Sequence, residues 1–192
     1  MRVHGDEIIR RRSDVSPQKT YSGYTEYLRK DFHNICGYCG KPREISSRDY
    51  HIDHFVPKSK APEREADYEN LVYCCCVCNY KKSDNWPTND PSLPHDGKVG
   101  FVDPASEDFD EHLMRDDDTG CIHPKTDVGL YICNIFDFGG RPIEIVWKAV
   151  ELQKIINQFN ERINTLSSNE YQKYAQINAA LCELKKNILN ME

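Results

Sequence analysis

The sequence predicts an α+β protein: a small cysteine-stapled core, preceded by an arm and a helix and followed by a mostly helical part. Three observations lead there. Two Cys-x2-Cys pairs, Cys36 with Cys39 and Cys75 with Cys78, stand 35 residues apart. A strand-like segment around Tyr50–Phe55 lies between them and is stopped by Pro57. Beyond residue 140, apolar residues recur at three- and four-residue spacing through two long stretches.

With 192 residues and 39% hydrophobic content, the chain can bury one core and a small satellite module. No run approaches the ~18 apolar residues of a membrane helix, and the start MRVHGDEIIRRR has no apolar centre, so a soluble, cytoplasmic protein is expected. Nine cysteines in a reducing compartment point to metal rather than disulfides, and an odd number cannot all pair. The net charge of −6 speaks against coating nucleic acid by bulk positive charge. Residues 1–88 hold 15 Lys/Arg against 13 Asp/Glu and six of the cysteines, while residues 89–192 hold 10 against 18. The chemistry is therefore expected before residue 88.

Three segments are expected: an arm and helix (1–35), the stapled core (36–88), and a loop-rich then helical region (89–192). The arm, Met1 to about Pro17, carries the basic run Arg10, Arg11, Arg12 and little periodicity. Tyr21, Tyr24, Leu28 and Phe32 recur at helical spacing. Pro87, Pro91, Pro94 and Gly97 mark a boundary or a fixed surface loop, Phe101–Pro104 reads as a short strand, and Glu107–Asp118 is an acidic stretch. Thr126 can cap a helix carrying Val128, Leu130, Tyr131, Ile132 and Ile135, ended by Gly139–Gly140. The stripe from Ile145 to Ile163 predicts a long helix. A second stripe, from Tyr171 to Ile188 after Ser167–Ser168, completes a helical hairpin.

Cys36, Cys39, Cys75 and Cys78 have the spacing of a four-cysteine Zn2+ site built from two knuckles. Thiolates suit a soft site, and a closed tetrahedron leaves no position for substrate, so this zinc would staple the fold rather than catalyse. Cys74 also lies at a tolerable ligand spacing from Cys78, but Cys75 preserves the two-residue knuckle. Cys121 is isolated. Cys133 and Cys182 lie in helical patterns, where buried thiols acting as small apolar groups are expected.

Between the knuckles sits His51-Ile-Asp-His-Phe-Val-Pro-Lys, and after the second comes Asn79-Tyr-Lys-Lys-Ser-Asp. A carboxylate, a histidine and an amide oxygen are the ingredients for a hard cation beside a general base, which suits phosphodiester cleavage. Asp53 and His54 are adjacent and would point to opposite faces of a strand, so the strand must end or twist there.

HIDHFVPKS followed by ENLVYCCCVCNYKKSD resembles the motif set of the HNH endonucleases in its zinc-stapled form, over about Cys36–Asp84. The resemblance implies a ββα-metal core and metal-dependent hydrolysis of nucleic acid, with DNA as the expected substrate. It makes His54 the general base and gives Asp53 and Asn79 a catalytic Mg2+ or Mn2+. It makes Asn70 the residue that fixes the loop and orients His54, and Lys82 a phosphate contact. Lys58 belongs to the same expected substrate surface. His51 shares the Asp53 face and would touch phosphate or a second metal. Asn79 stands where the family's last letter is often histidine, a variant suited to magnesium. His4, His33, His95, His112 and His123 match no motif position.

The layout is similar to small stand-alone HNH nucleases of bacterial antiphage systems, the Septu and retron-associated group, which implies an ATPase or other defence subunit as partner. Two competing readings are a zinc-knuckle module presenting Lys41, Arg43, Lys58, Lys60, Lys81 and Lys82 to nucleic acid, and a subunit whose helical hairpin docks on a partner. Asp53, His54 and Asn79 occurring together favours the nuclease, since a binder has no need of a base beside two oxygen ligands.

Overall fold

The computed structural model describes residues 1–46 and 48–191. A 3-10 turn at Tyr21–Tyr24 leads into helix α1 (Thr25–Asp31), and Tyr24, Leu28 and Phe32 on its inner side are buried as their spacing predicts. The segment before it is no free arm. Val3 and Ile9 are buried in the core, and the basic run is paired internally. Arg11 donates to Asp103 (2.8 Å) and to the Leu71 carbonyl (3.0 Å), and Arg12 donates to Asp31 (2.6 Å). These partners lie 19 to 92 residues away, beyond the reach of local periodicity.

Strands β1 (Tyr50–His54) and β2 (Leu71–Cys75) pair antiparallel, from Tyr50 opposite Cys75 to His54 opposite Leu71. All of β2 is buried, and it runs directly into helix α2 (Cys76–Lys82), giving the ββα unit. The proline-rich loop after it is fixed by Trp86, whose indole donates to the Asp90 carbonyl (2.7 Å) and packs against Phe55 and Phe101. Phe101–Pro104 forms no strand. Phe101 and Val102 are buried, but only an isolated bridge between His95 and Gly100 lies nearby, so no neighbouring strand completes a ladder.

Helix α3 (Phe109–His112) precedes an unanticipated hairpin, β3 (Leu113–Arg115) with β4 (Ile122–Pro124), inside and beyond the acidic stretch. Its turn is built by the Asp116 carboxylate, which accepts from the backbone N–H of Thr119 (2.7 Å) and Asp118 (3.1 Å), and by Gly120 at φ +74°, where a side chain would be strained. Helix α4 (Asp127–Phe136) starts as expected with the Thr126 hydroxyl accepting from Gly129 N–H (3.1 Å) and stops at left-handed Asp137.

One apolar cluster runs from Val3 to Ile143 and draws on arm, stapled core and loop-rich region alike. A second joins Ile45 to helices α5 (Ile143–Asn160) and α6 (Ser168–Met191) through Val146, Ala149, Ile156, Leu181 and Ile188. Ile163 falls in a 3-10 turn after α5 rather than in the helix. Cys133 is half-buried, whereas Cys182 lies exposed on the outer face of α6 and contributes nothing to the packing. No helix among the described residues is long and apolar enough to cross a membrane.

Candidate active site and zinc centre

The first knuckle is a tight turn: Cys36 N–H donates to the Lys41 carbonyl and Gly40 N–H to the Cys36 carbonyl, both at 2.8 Å. Gly40 sits at φ +67° with the Val3 carbonyl 2.8 Å from where a Cβ would be, so no larger residue fits. The second knuckle straddles the strand-to-helix junction, with Cys75 as the N-cap of α2 and Cys78 in its first turn. All four sulfurs lie within 4.8 Å of one another, and those of Cys39 and Cys75 are 3.9 Å apart. Zn–S bonds of about 2.3 Å place tetrahedral corners about 3.8 Å apart, so four buried thiols at this spacing fit a structural zinc. Cys74 is outside the cluster. Its thiol faces the His51 carbonyl.

Arg141, just before α5, lays its guanidinium on the cluster, 3.2 Å from Cys78 Sγ, 3.7 Å from Cys39 Sγ and 3.9 Å from Cys75 Sγ. Burial opposes its charge, but the three thiols raise its pKa overall. Buried Arg115 ties the same knuckle to the arm and to the β3–β4 turn through the carbonyls of Cys39 (2.8 Å), Val3 (2.8 Å) and Gly120 (2.6 Å). Neither arginine carried a signal in the sequence, because each is a lone cation whose partners are distant in the chain.

β1 ends at His54, which meets the geometric demand set by the adjacent Asp53–His54 pair. Both line one cleft of about 330 Å³ together with Tyr21, Pro57, Lys58, Ser59, Asn79, Ser83 and Asp84. The His54 ring is held on two sides. Its Nε2 lies 2.8 Å from the Glu65 carbonyl, and Tyr21 packs edge-on at 5.1 Å. A carbonyl only accepts, so Nε2 carries the proton and Nδ1 is left with its lone pair.

Asp53 is buried, and its Oδ2 accepts from the Tyr38 hydroxyl (2.5 Å) and pairs with Lys82 Nζ (2.9 Å). Burial pushes its carboxyl up from the ordinary range, opposed by Lys82 and Tyr38, and burial prevails. Asn79 Nδ2 donates to His51 Nδ1 at 3.0 Å, which leaves Oδ1 as the amide's donor atom toward a cation.

One expected role changes, that of Lys82, and the structure places His51, Asn70 and Lys58 as follows. Lys82 is 0% exposed and donates to the His54 carbonyl (2.8 Å) as well as pairing with Asp53, so it is a buried cross-link and not a phosphate contact. His51 is exposed and does not line the cleft. Its Nδ1 lies 3.0 Å from Asn79 Nδ2. Asn70 is buried away from the cleft, where its side chain exchanges hydrogen bonds with the Val56 backbone (2.8 and 3.0 Å) and its carbonyl accepts from Phe55 (2.8 Å). It therefore pins the residues that follow His54 and does not touch reacting atoms. Lys58 does line the cleft, half-exposed and paired with Glu65 at 3.1 Å. Tyr21, Tyr38 and Asp84 are site residues that sequence reasoning did not single out.

The lysine set of the pure binding module does not form a face: Lys41 is 5% exposed and Lys82 is fully buried. The fold and site together define a zinc-stapled ββα unit with a histidine and a carboxylate at one cleft. Residues 36–85 match the family model of the HNH endonuclease. No curated protein and no solved structure matches the chain.

Proposed function

We propose that the chain is a metal-dependent HNH nuclease that hydrolyses a phosphodiester of nucleic acid, DNA by the family resemblance, with His54 as general base. The observation that carries this is the Nε2 hydrogen bond to the Glu65 carbonyl, which fixes the tautomer and reserves Nδ1 for a proton from water. Tyr21 on one side of the imidazole limits its rotation. Asp53 and Asn79 are the residues that would hold Mg2+ or Mn2+. Two protein oxygens suffice for an ion that completes its shell with waters and phosphate. Bound there, the cation would neutralise charge building on the phosphate.

Lys82 and Tyr38 hold the carboxylate of Asp53 in place, Lys82 fixes the backbone at His54, and His51 turns the Asn79 amide. Asn70 is a positioning residue for the loop after His54. The division into segments 1–35, 36–88 and 89–192 assigns chemistry to the middle one. The similarity of layout extends the proposal to antiphage defence with an ATPase subunit as partner, which plaque counts on cells carrying the parent or His54→Ala would test.

The direct test is cleavage of plasmid and oligonucleotide with Mg2+ or Mn2+, with the divalent cation omitted as control. His54→Ala should lower the rate by about 10²- to 10⁴-fold while zinc content and folding stay unchanged. Undiminished cleavage by His54→Ala would overturn the mechanism.

A further inference from the structure

Two carboxylates line the cleft, Asp53 and Asp84. Asp53 is held by Tyr38 and Lys82, whereas the exposed side chain of Asp84 has no hydrogen-bond or ion-pair partner among the described residues. The fold gains nothing from its charge. Asp84 stands just beyond the C-terminal end of α2, where the helix dipole disfavours an anion. Substrate gains nothing from it either, because a phosphodiester entering the cleft meets it as a like charge.

The backbone is nevertheless bent to present it. Asn85 N–H donates to the Lys82 carbonyl (3.0 Å), closing a β-turn whose central residues are Ser83 and Asp84, both in the cleft lining. Ser83 has φ +49° and ψ −134°, the first central position of a type II′ turn, which glycine usually occupies. A serine held at positive φ is strained, and strain of this kind collects where it sets a functional group. The turn begins at Lys82, whose ammonium is anchored on the Asp53 carboxylate and on the His54 carbonyl. A tether of two residues therefore fixes Asp84 relative to both.

We infer that Asp84 is a positioning residue for the cation that Asp53 and Asn79 would hold, accepting hydrogen bonds from the waters of the hydrated ion. The inference rests on the nuclease reading and adds a third protein oxygen to its metal site. Asp53, His54 and Asp84 do not gather within 4.8 Å of one another, so a contact through water suits this carboxylate better than direct coordination of one shared ion. Mg2+ keeps several waters when one or two carboxylates bind it. A cation held between Asp53 and Asp84 also offsets the repulsion that Asp84 presents to a phosphate.

The test is Mn2+ binding to the zinc-loaded full chain without nucleic acid, with free Mn2+ read by electron paramagnetic resonance. The parent should bind one ion, and Asp84→Asn should raise the Mn2+ Kd by about 10- to 100-fold while zinc content and Tm do not fall. Asp118→Asn removes an exposed carboxylate from the β3–β4 turn and should leave the Kd unchanged. In cleavage, Asp84→Asn should need correspondingly more Mn2+ for its half-maximal rate and approach the parent rate at saturation.

No Mn2+ binding by the parent, a parent-like Kd for Asp84→Asn, or an equal loss from Asp118→Asn overturns the inference. If Asn79→Ala weakens Mn2+ binding and Asp84→Asn does not, the inference falls and the nuclease reading stands. Mn2+ binding that depends on Asp84, with no cleavage of any nucleic acid, supports the metal contact and rejects the nuclease reading.

Discussion

The segment from Cys36 to Asp84 and the hairpin from Ile143 to Met191 are equal in length and are held by opposite means. The first buries the four-thiol cluster, the Asp53 carboxylate, the Lys82 ammonium, the His54 imidazole and the Asn70 carboxamide, each against a named partner. The second buries aliphatic side chains along one stripe of each helix and leaves its outer faces mostly polar. A two-stranded sheet cannot stand alone on hydrophobic area, so directional contacts and a metal take its place. Such contacts also fix single atoms, such as His54 Nδ1, in a way that a sliding apolar stripe does not. Ile45 is where the two systems meet: it comes from the loop between the knuckle and β1 but packs with α5 and α6.

The largest effect should come from removing the metal. Cys36→Ser or Cys78→Ser should abolish zinc binding and cooperative unfolding of the stapled segment, because structural zinc supplies folding free energy directly. Metal analysis with thermal unfolding checks this, and variants as stable as the parent would contradict the staple. Next is Lys82→Met, which strands the Asp53 carboxylate in the interior and should cost about 3–5 kcal/mol in urea unfolding. Adding Asp53→Asn should recover part of that loss, an outcome that a surface phosphate contact would not produce.

His4 gives a pH-dependent effect of somewhat smaller size. Burial lowers its pKa from 6.5 to about 4, although its Nε2 bonds to the Gly37 carbonyl of the first knuckle. Below pH 6.5 the unfolded chain binds a proton that the folded chain refuses, so stability falls with acidification until about pH 4. The full span is worth about 3 kcal/mol. His4→Gln should flatten this part of the stability profile, and a parent-like slope in the variant would place the titration elsewhere. The smallest change belongs to the hairpin: Ile188→Val should cost about 0.5–1.5 kcal/mol and leave cleavage untouched. A loss of activity there would mean that the hairpin shapes the site.

Features written in local spacing were legible in the sequence. The two knuckles, the strand ending at His54, the Thr126 cap and the helical hairpin all depend on residues within a few positions of one another. The part that was not legible depends on which distant partner a charged side chain finds. Lys82 looked like a surface cation because lysine is seldom buried, yet it lies four residues after buried Cys78 and so shares its helix face. Arg11, Arg115 and Arg141 each close a contact spanning 60 residues or more. The β3–β4 hairpin escaped notice because three-residue strands in an acidic stretch leave too little alternation to read. Cys182 shows the converse error, an apolar residue type in a helical pattern that faces water.

The guanidinium of Arg141 on the thiol cluster also bears on time rather than on stability. Four thiolates around a divalent zinc carry an excess of two negative charges, and the arginine hydrogen-bonds three of the sulfurs. Sulfur lone pairs engaged in this way are less available to an oxidant, and a chelator that approaches the metal must first displace a side chain anchored at the start of α5. With zinc bound there, the rate at which it exchanges, or is released when its thiolates are oxidised, would therefore depend on a side chain outside the segment that binds it, in the part of the chain that looks least involved in the chemistry.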